Sequence, residues 1–182
     1  MFKKKTNRFV CLLLSTLLTA TSTSCSQQND YSDYNKILAR YSNNETVYYC
    51  FEDLDGNGIK ELMVDKGKTT DLCTLNSSNE AVLVQKELIG SAFYNTDGNR
   101  FVAQADYGTG FSGLIVYEYN TEKQTVKAID EYSVLAPIVI SETYYRNGKV
   151  ISQTEYHDIY ETYCKEENRI VQHKYSFEKE VF

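Results

Sequence analysis

Tryptophan is absent from this 182-residue chain, proline occurs once and histidine twice. Each shortage excludes something. Sugar-binding surfaces stack pyranose faces on aromatic rings, and the lack of Trp counts against a dedicated carbohydrate module. His157 and His173 have no carboxylate or cysteine at ligand spacing, so the pattern of a zinc centre is missing. Cys164 lies two helical turns from His157 and has no evident base, which removes the usual Cys/His pair. No G-x-S-x-G nucleophile motif occurs. Pro137 interrupts the apolar run Leu135 to Ile140, making that stretch an edge strand or an irregular segment. No segment repeats at a period of 20 to 50 residues, so a complete propeller or solenoid is not expected.

Long hydrophobic runs are also scarce. The longest, Phe9 to Ala20, follows Lys3, Lys4, Lys5 and Arg8 and is too short to span a membrane permanently. It reads as the core of an export signal. Ser22-Thr23-Ser24-Cys25 resembles the cleavage box of bacterial lipoproteins, whose cysteine is lipidated and becomes the mature N-terminus. Ser22 departs from that pattern, which usually has Leu. Cleavage by an ordinary signal peptidase near Ala20 or Ser24, giving a secreted protein, is the alternative. The expected organisation is a signal over 1–25, a linker over 26–31 and one β-rich domain over 32–182, held to the extracytoplasmic face by its lipid alone.

Basic residues are in deficit. Of 19 Lys and Arg, four fall within the first 25 positions while all 25 acidic residues follow, leaving a net charge of −10. That balance excludes nucleic acid and argues against an anionic surface as partner. Three cysteines remain after Cys25: Cys50, Cys73 and Cys164. Their odd number permits at most one internal bridge. Cys50 and Cys73 are expected on neighbouring strands; they either pair or serve as small buried hydrophobes.

Along the domain, Tyr34, Ile37, Leu38 and Tyr41 have the spacing of an amphipathic helix over 33–41, with Ser32 or Asp30 as its cap. From Thr46 the pattern changes to short β-branched and aromatic runs: 46–52, 60–66, 71–76, 80–88, 100–106, 113–120, 125–132 and 142–146. Asp97-Gly98 and Asn147-Gly148 are hairpin turns. Ser152 and Glu155 form a capping box ahead of a second helix, with Tyr156, Ile159, Tyr160 and Tyr163 on one face, ending near Lys165. The tail from Arg169 to Phe177 reads as a strand. The fold class is α+β, mainly β: an antiparallel meander with one helix near each end. Sixteen tyrosines suit half-buried sheet faces.

One stretch carries chemistry. In Asp53-Leu-Asp-Gly-Asn-Gly-Ile-Lys-Glu61, the residues Asp53, Asp55, Asn57, the Ile59 carbonyl and Glu61 occupy alternating positions. A hard cation such as Ca²⁺ draws its oxygen ligands from such an alternation as the backbone curls around it. Gly58 takes the sixth position, where the chain turns sharply and a Cβ is expected to clash. The plain alternative is a polar hairpin with solvated acids. An EF-hand is excluded, because its twelfth position needs a bidentate Glu and here holds Val64.

The stretch resembles the short calcium loops of FG-GAP and dockerin-type modules. It is similar above all to the single D-x-D-G-x-G-x-x-E-L-x-V element of secreted lipoproteins of anaerobic Gram-positive bacteria. The resemblance implies a structural Ca²⁺ that pins strand 47–52 against 62–65. A dockerin needs a second copy, and 95–103 has Arg100 and Ala103 where glycine and glutamate belong. Gly108 to Gly113 matches G-x-G-x-x-G, but Leu114 to Tyr119 reads as strand, so a mobile hairpin tip is expected rather than a nucleotide site. The function expected is a non-enzymatic cell-surface lipoprotein that binds an extracellular protein or glycan. A carbohydrate-binding module using the Tyr107 to Gly113 turn and a hydrolase with an acidic pair are the alternatives. An inhibitor or assembly partner is a further possibility.

Overall fold

The computed structural model describes residues 31–175 except 42–46, 97, 109 and 137–140. The export signal, Cys25, Asp97, Pro137 and the tail beyond Tyr175 lie outside the described residues. Helix α1 (Asp33–Leu38) runs into a 3-10 turn (Ala39–Tyr41), and Tyr34, Ile37 and Leu38 are buried as their spacing predicts. Ser32 at its start already has helical φ and ψ rather than the extended conformation of a capping residue.

Eleven strands follow among the described residues. They are β1 (Tyr48–Glu52), β2 (Glu61–Asp65), β3 (Thr69–Leu75), β4 (Ala81–Ile89), β5 (Ala92–Asn95), β6 (Arg100–Gly108), β7 (Phe111–Asn120), β8 (Thr125–Leu135), β9 (Thr143–Arg146), β10 (Lys149–Ile151) and β11 (His173–Lys174). Helix α2 (Gln153–Tyr163) precedes the last. The meander runs through the chain but is folded over into two antiparallel sheets, β11-β1-β2-β3-β4 and β5-β6-β7-β8-β9-β10. The fold-over is at Gly90, where φ is +133° and a Cβ would come within 2.5 Å of the Ala103 Cβ. Its N–H donates to Lys68 in the turn between β2 and β3 while the Ser91 N–H donates to Gln104 of the second sheet, so the chain changes sheet in one residue.

Alternation along each strand distributes apolar residues over three layers. Between the sheets, Cys50, Met63, Leu72 and Leu88 meet Phe93, Phe101, Ala103, Ile115, Tyr117 and Tyr119. On the outer face of the first sheet, α1 covers Leu62, Val64 and Cys73. On the outer face of the second, α2 sets Tyr156 against Val102, Leu114, Val116, Tyr132 and Tyr144. The order is helix, sheet, sheet, helix. Ser152 does cap α2: its Oγ accepts the Glu155 N–H at 3.1 Å. The inward face of α2 is Tyr156, Ile159 and Tyr163, whereas Tyr160 turns to solvent.

This layering settles the cysteines. Cys50 is opposite Met63 and Cys73 opposite Leu62, so β1 and β3 flank β2 rather than each other. The two thiols belong to different faces of the sheet, and Cys50, Cys73 and Cys164 are all free. Burial pushes the Cys50 and Cys73 thiols up to about 12, consistent with their use as small hydrophobes.

A buried charge anchors the outer face. Asp71 accepts from Lys66 Nζ at 2.8 Å, from the Tyr41 hydroxyl at 2.6 Å and from the Glu87 N–H at 2.9 Å. Burial pushes its carboxyl up, but these donors outweigh that and hold it below its ordinary value. Glu87 makes its contact from a bulge in β4, with φ of +56°.

The glycine-rich segment is a hairpin tip only in part. Gly108 and Gly110 turn with positive φ, but Gly113 lies inside β7 opposite Ser133. A Cβ at Gly113 would come within 2.3 Å of the Tyr132 carbonyl oxygen and 3.2 Å of Ser133 Cα, both backbone atoms that cannot rotate away. Gly113→Ala is therefore expected to destabilise the fold by about 2 to 3 kcal/mol. Gly108→Ala, in open space but at φ of +76°, should cost only about 1 kcal/mol. Urea unfolding of the two variants checks the ranking.

Candidate metal centre

Strands β1 and β2 pair from Tyr48 with Asp65 to Glu52 with Glu61, and the loop 53–60 closes this hairpin. The loop folds around its first aspartate. Asp53 Oδ1 accepts the Asn57 N–H at 3.0 Å and Oδ2 the Gly58 N–H at 2.9 Å. Asp55 Oδ1 shares the Asn57 N–H at 3.1 Å. Gly56 and Gly58 take φ of +72° and +84°, which lets successive N–H groups turn inward. The expected clash at Gly58 is absent, since a Cβ there would meet nothing within 4 Å. Glycine is required by its own backbone conformation, not by a neighbour.

This curl brings three carboxylates together. One oxygen each from Asp53, Asp55 and Glu61 lies within 4.8 Å of the others, and this group could hold a metal ion. Ligands across a Ca²⁺ ion stand about 5 Å apart when each bond is 2.3 to 2.6 Å, so the spacing fits such an ion. Each carboxylate oxygen has two lone-pair directions, and Asp53 Oδ1, Asp53 Oδ2, Asp55 Oδ1 and Glu61 Oε2 each accept one backbone N–H.

The other two predicted ligands are placed differently. Asn57 is turned into the loop, its Oδ1 accepting from the Ile59 N–H at 2.6 Å and its Nδ2 donating to Asp55 Oδ2 at 3.1 Å. Its observed role is to close the turn. Ile59 stands between two carbonyls drawn toward the N-terminal helix. The Tyr31 hydroxyl reaches the Gly58 oxygen at 3.4 Å and the Tyr34 hydroxyl reaches the Lys60 oxygen at 2.8 Å.

Four supporting groups carry no sequence signal. Glu61 is fully buried, and its Oε2 accepts the Leu54 N–H at 3.0 Å while Oε1 accepts the Thr74 hydroxyl at 3.0 Å. Thr121, in the β7–β8 turn of the other sheet, donates to Asp55 Oδ2. Tyr119 is buried beside them, and burial pushes its hydroxyl up to about 12, with Thr74 working against the shift and the charges of Glu61 and Asp55 adding to it. Thr74 and Thr121 are ordinary strand and turn residues in the sequence, and only the stacking of the sheets brings them to the loop.

The chain matches no family model, no curated protein and no solved structure. The chemistry of the centre therefore rests on its own geometry. Without a cation, three converging carboxylates repel, and the cost rises as they leave water. Burial first, then the charges of Asp55 and Asp53, push the Glu61 carboxyl up to about 7, although the Leu54 N–H and the Thr74 hydroxyl oppose the shift. The three carboxylates form a hard oxygen cluster that could hold a cation, and its most buried member, Glu61, keeps its proton to higher pH than an ordinary carboxyl.

A raised folded pKa means that the ion-free folded state binds more protons than the unfolded chain between about 4.5 and 7. The contribution to stability is complete below 4.5 and lost as pH rises through 7. In chelator, stability should fall by about 3 kcal/mol over that window. Glu61→Gln should flatten that slope and leave the ion-free protein more stable than wild type at pH 8. Thermal unfolding in chelator between pH 4 and 8 checks both.

Proposed function

We propose that this chain is a non-enzymatic lipoprotein of the cell surface, anchored through Cys25, whose β domain is stabilised by one Ca²⁺ ion in the 53–61 loop and serves a binding role. The observation that carries the calcium reading is the convergence of the Asp53, Asp55 and Glu61 oxygens within 4.8 Å. All three are hard oxygen donors, which suit Ca²⁺ and give thiophilic metals no soft ligand. Asn57 in place of an acid and the modest charge favour weak affinity, with a Kd of about 10⁻⁵ to 10⁻³ M, adequate where calcium is abundant outside the cell.

The ion's role in this reading is structural. It neutralises the loop acids and fixes the β1–β2 register, and through Asp55 and Thr121 it ties the first sheet to the second. Glu61 is enclosed by Leu54, Thr74 and Tyr119, which favours a structural ion over one that activates water beside a substrate. The anchor rests on the sequence: the basic start, the apolar core and Ser22-Thr23-Ser24-Cys25.

Calcium at about 100 times its Kd should stabilise the protein by about 2.7 kcal/mol, read as a rise in melting temperature that magnesium reproduces poorly. Asp53→Asn with Asp55→Asn should abolish the rise. A melt indifferent to calcium would reduce the loop to a polar hairpin. Cys25→Ser should move the protein from the membrane fraction to the medium, and retention on the membrane would refute the anchor.

A further inference from the structure

Two concavities of about 560 and 510 Å³ lie side by side where the end of α2 and the segment after it meet the edge of the second sheet. They share Asn95 and Asn168, and together form one elongated groove. Each half alone has the volume of a small-molecule site. The lining is unusual for such a site, because polar groups dominate it. The first half presents Arg100, Lys165, Thr162 and the Tyr163 ring. Among the described residues no carboxylate lines that half. The second half is mixed, with Glu52 and Glu167 against Arg169 and His173.

We propose that this groove binds an acidic saccharide, with a carboxylated sugar ring in the Arg100/Lys165 half and the hydroxyls of the adjoining ring on Asn95 and Asn168. The inference deepens the reading of the chain as a binding domain and names a ligand class for it. Three features carry it. Cations concentrate here in a domain whose mature net charge is −10. Lys165 pairs with no carboxylate among the described residues, and Arg100 touches Glu118 only at 3.5 Å, so both can turn to a ligand anion. The amides at the waist combine donor and acceptor, the complement of vicinal hydroxyls. Asn95 is already oriented by donating its Nδ2 to Glu52 Oε1 at 2.7 Å, which leaves its Oδ1 to accept from a ligand.

The same features separate the groove from the Tyr107 to Gly113 turn. There Tyr107 packs on Phe111 with ring centroids 5.1 Å apart, and its hydroxyl is held by Glu131, which would repel an acidic sugar.

Isothermal titration of the purified full-length chain with trigalacturonate, and with neutral galactotriose as counterpart, tests this. Saturable binding of the uronate is expected, at least tenfold tighter than the neutral sugar. Arg100→Ala and Lys165→Ala should each weaken it about tenfold, and Lys165→Arg should retain it. Both replaced side chains, Arg100 and Lys165, are exposed, so melting curves of the variants should overlay on wild type. No saturable uronate binding, equal binding of galactotriose, or unchanged affinity in the Arg100→Ala/Lys165→Ala double variant would each overturn the proposal. A calcium-dependent melting shift that persists while the uronate fails to bind would overturn the groove alone and leave the loop reading standing.

Discussion

Strand β2, Glu61-Leu-Met-Val-Asp65, is buried along its whole length, with α1 on one face and the second sheet on the other. That constraint governs the rest. A strand of alternating sides would place charged ends in water, but here both ends are carried into the interior of a sandwich. Each carboxylate must then find donors or incur the cost of desolvation. Asp65 takes the Gly67 N–H at 2.6 Å, and burial still pushes its carboxyl up. Glu61 takes Leu54 and Thr74 and remains at about 7. One end closes a tight turn; the other is left with two aspartates beside it. The second arrangement is the carboxylate cluster that could hold a metal ion.

The two sheets are held by different kinds of force. Phe93, Phe101, Tyr117 and Tyr119 are buried between them, and each such ring removes about 150 to 250 Å² from water, a stabilisation of about 4 to 6 kcal/mol per ring before the loss of conformational freedom. The polar bridges, Glu52 to Asn95 and Asp55 to Thr121, contribute about 1 kcal/mol each. Apolar burial therefore decides that the sheets stack. The bridges decide how they are aligned at the loop end, because hydrogen bonds are directional and ring burial is not.

Strand positions were legible from the sequence because β-branched and aromatic runs end at turn residues with a mechanism. Asn147 and Gly148 at φ of +49° and +74° are the clearest case. The division into two sheets was less legible, although a signal existed. Phe101-Val102 and Leu114-Ile115-Val116 put apolar residues on both faces of β6 and β7, as a sheet covered on both sides requires. The parity of strand register, which sends Cys50 and Cys73 to opposite faces, cannot be read before strand neighbours are known. At the candidate site, the spacing located Asp53, Asp55 and Glu61, since a local loop encodes its own geometry. Thr74, Thr121 and Tyr119 reach it only through the tertiary fold. The groove was invisible for the same reason: Asn95, Arg100, Lys165 and Asn168 come from two distant segments.

Loop and groove share a wall. Glu52 immediately precedes Asp53, pairs with Glu61 across the hairpin, and accepts the hydrogen bond from Asn95 at the groove's waist. Exposed charges at physiological ionic strength are screened over about 8 Å, so the acids of the loop do little through solvent to the cations of the groove. The connection through the chain is shorter and unscreened. Glu52 is opposite Glu61 in the ladder and is followed by Asp53, so a cation held by Asp53 and Glu61 would bear on the residue that orients the Asn95 amide. The loop acids thus begin one residue from the hydrogen bond that orients the Asn95 amide, and Glu52 at the end of β1 carries both contacts.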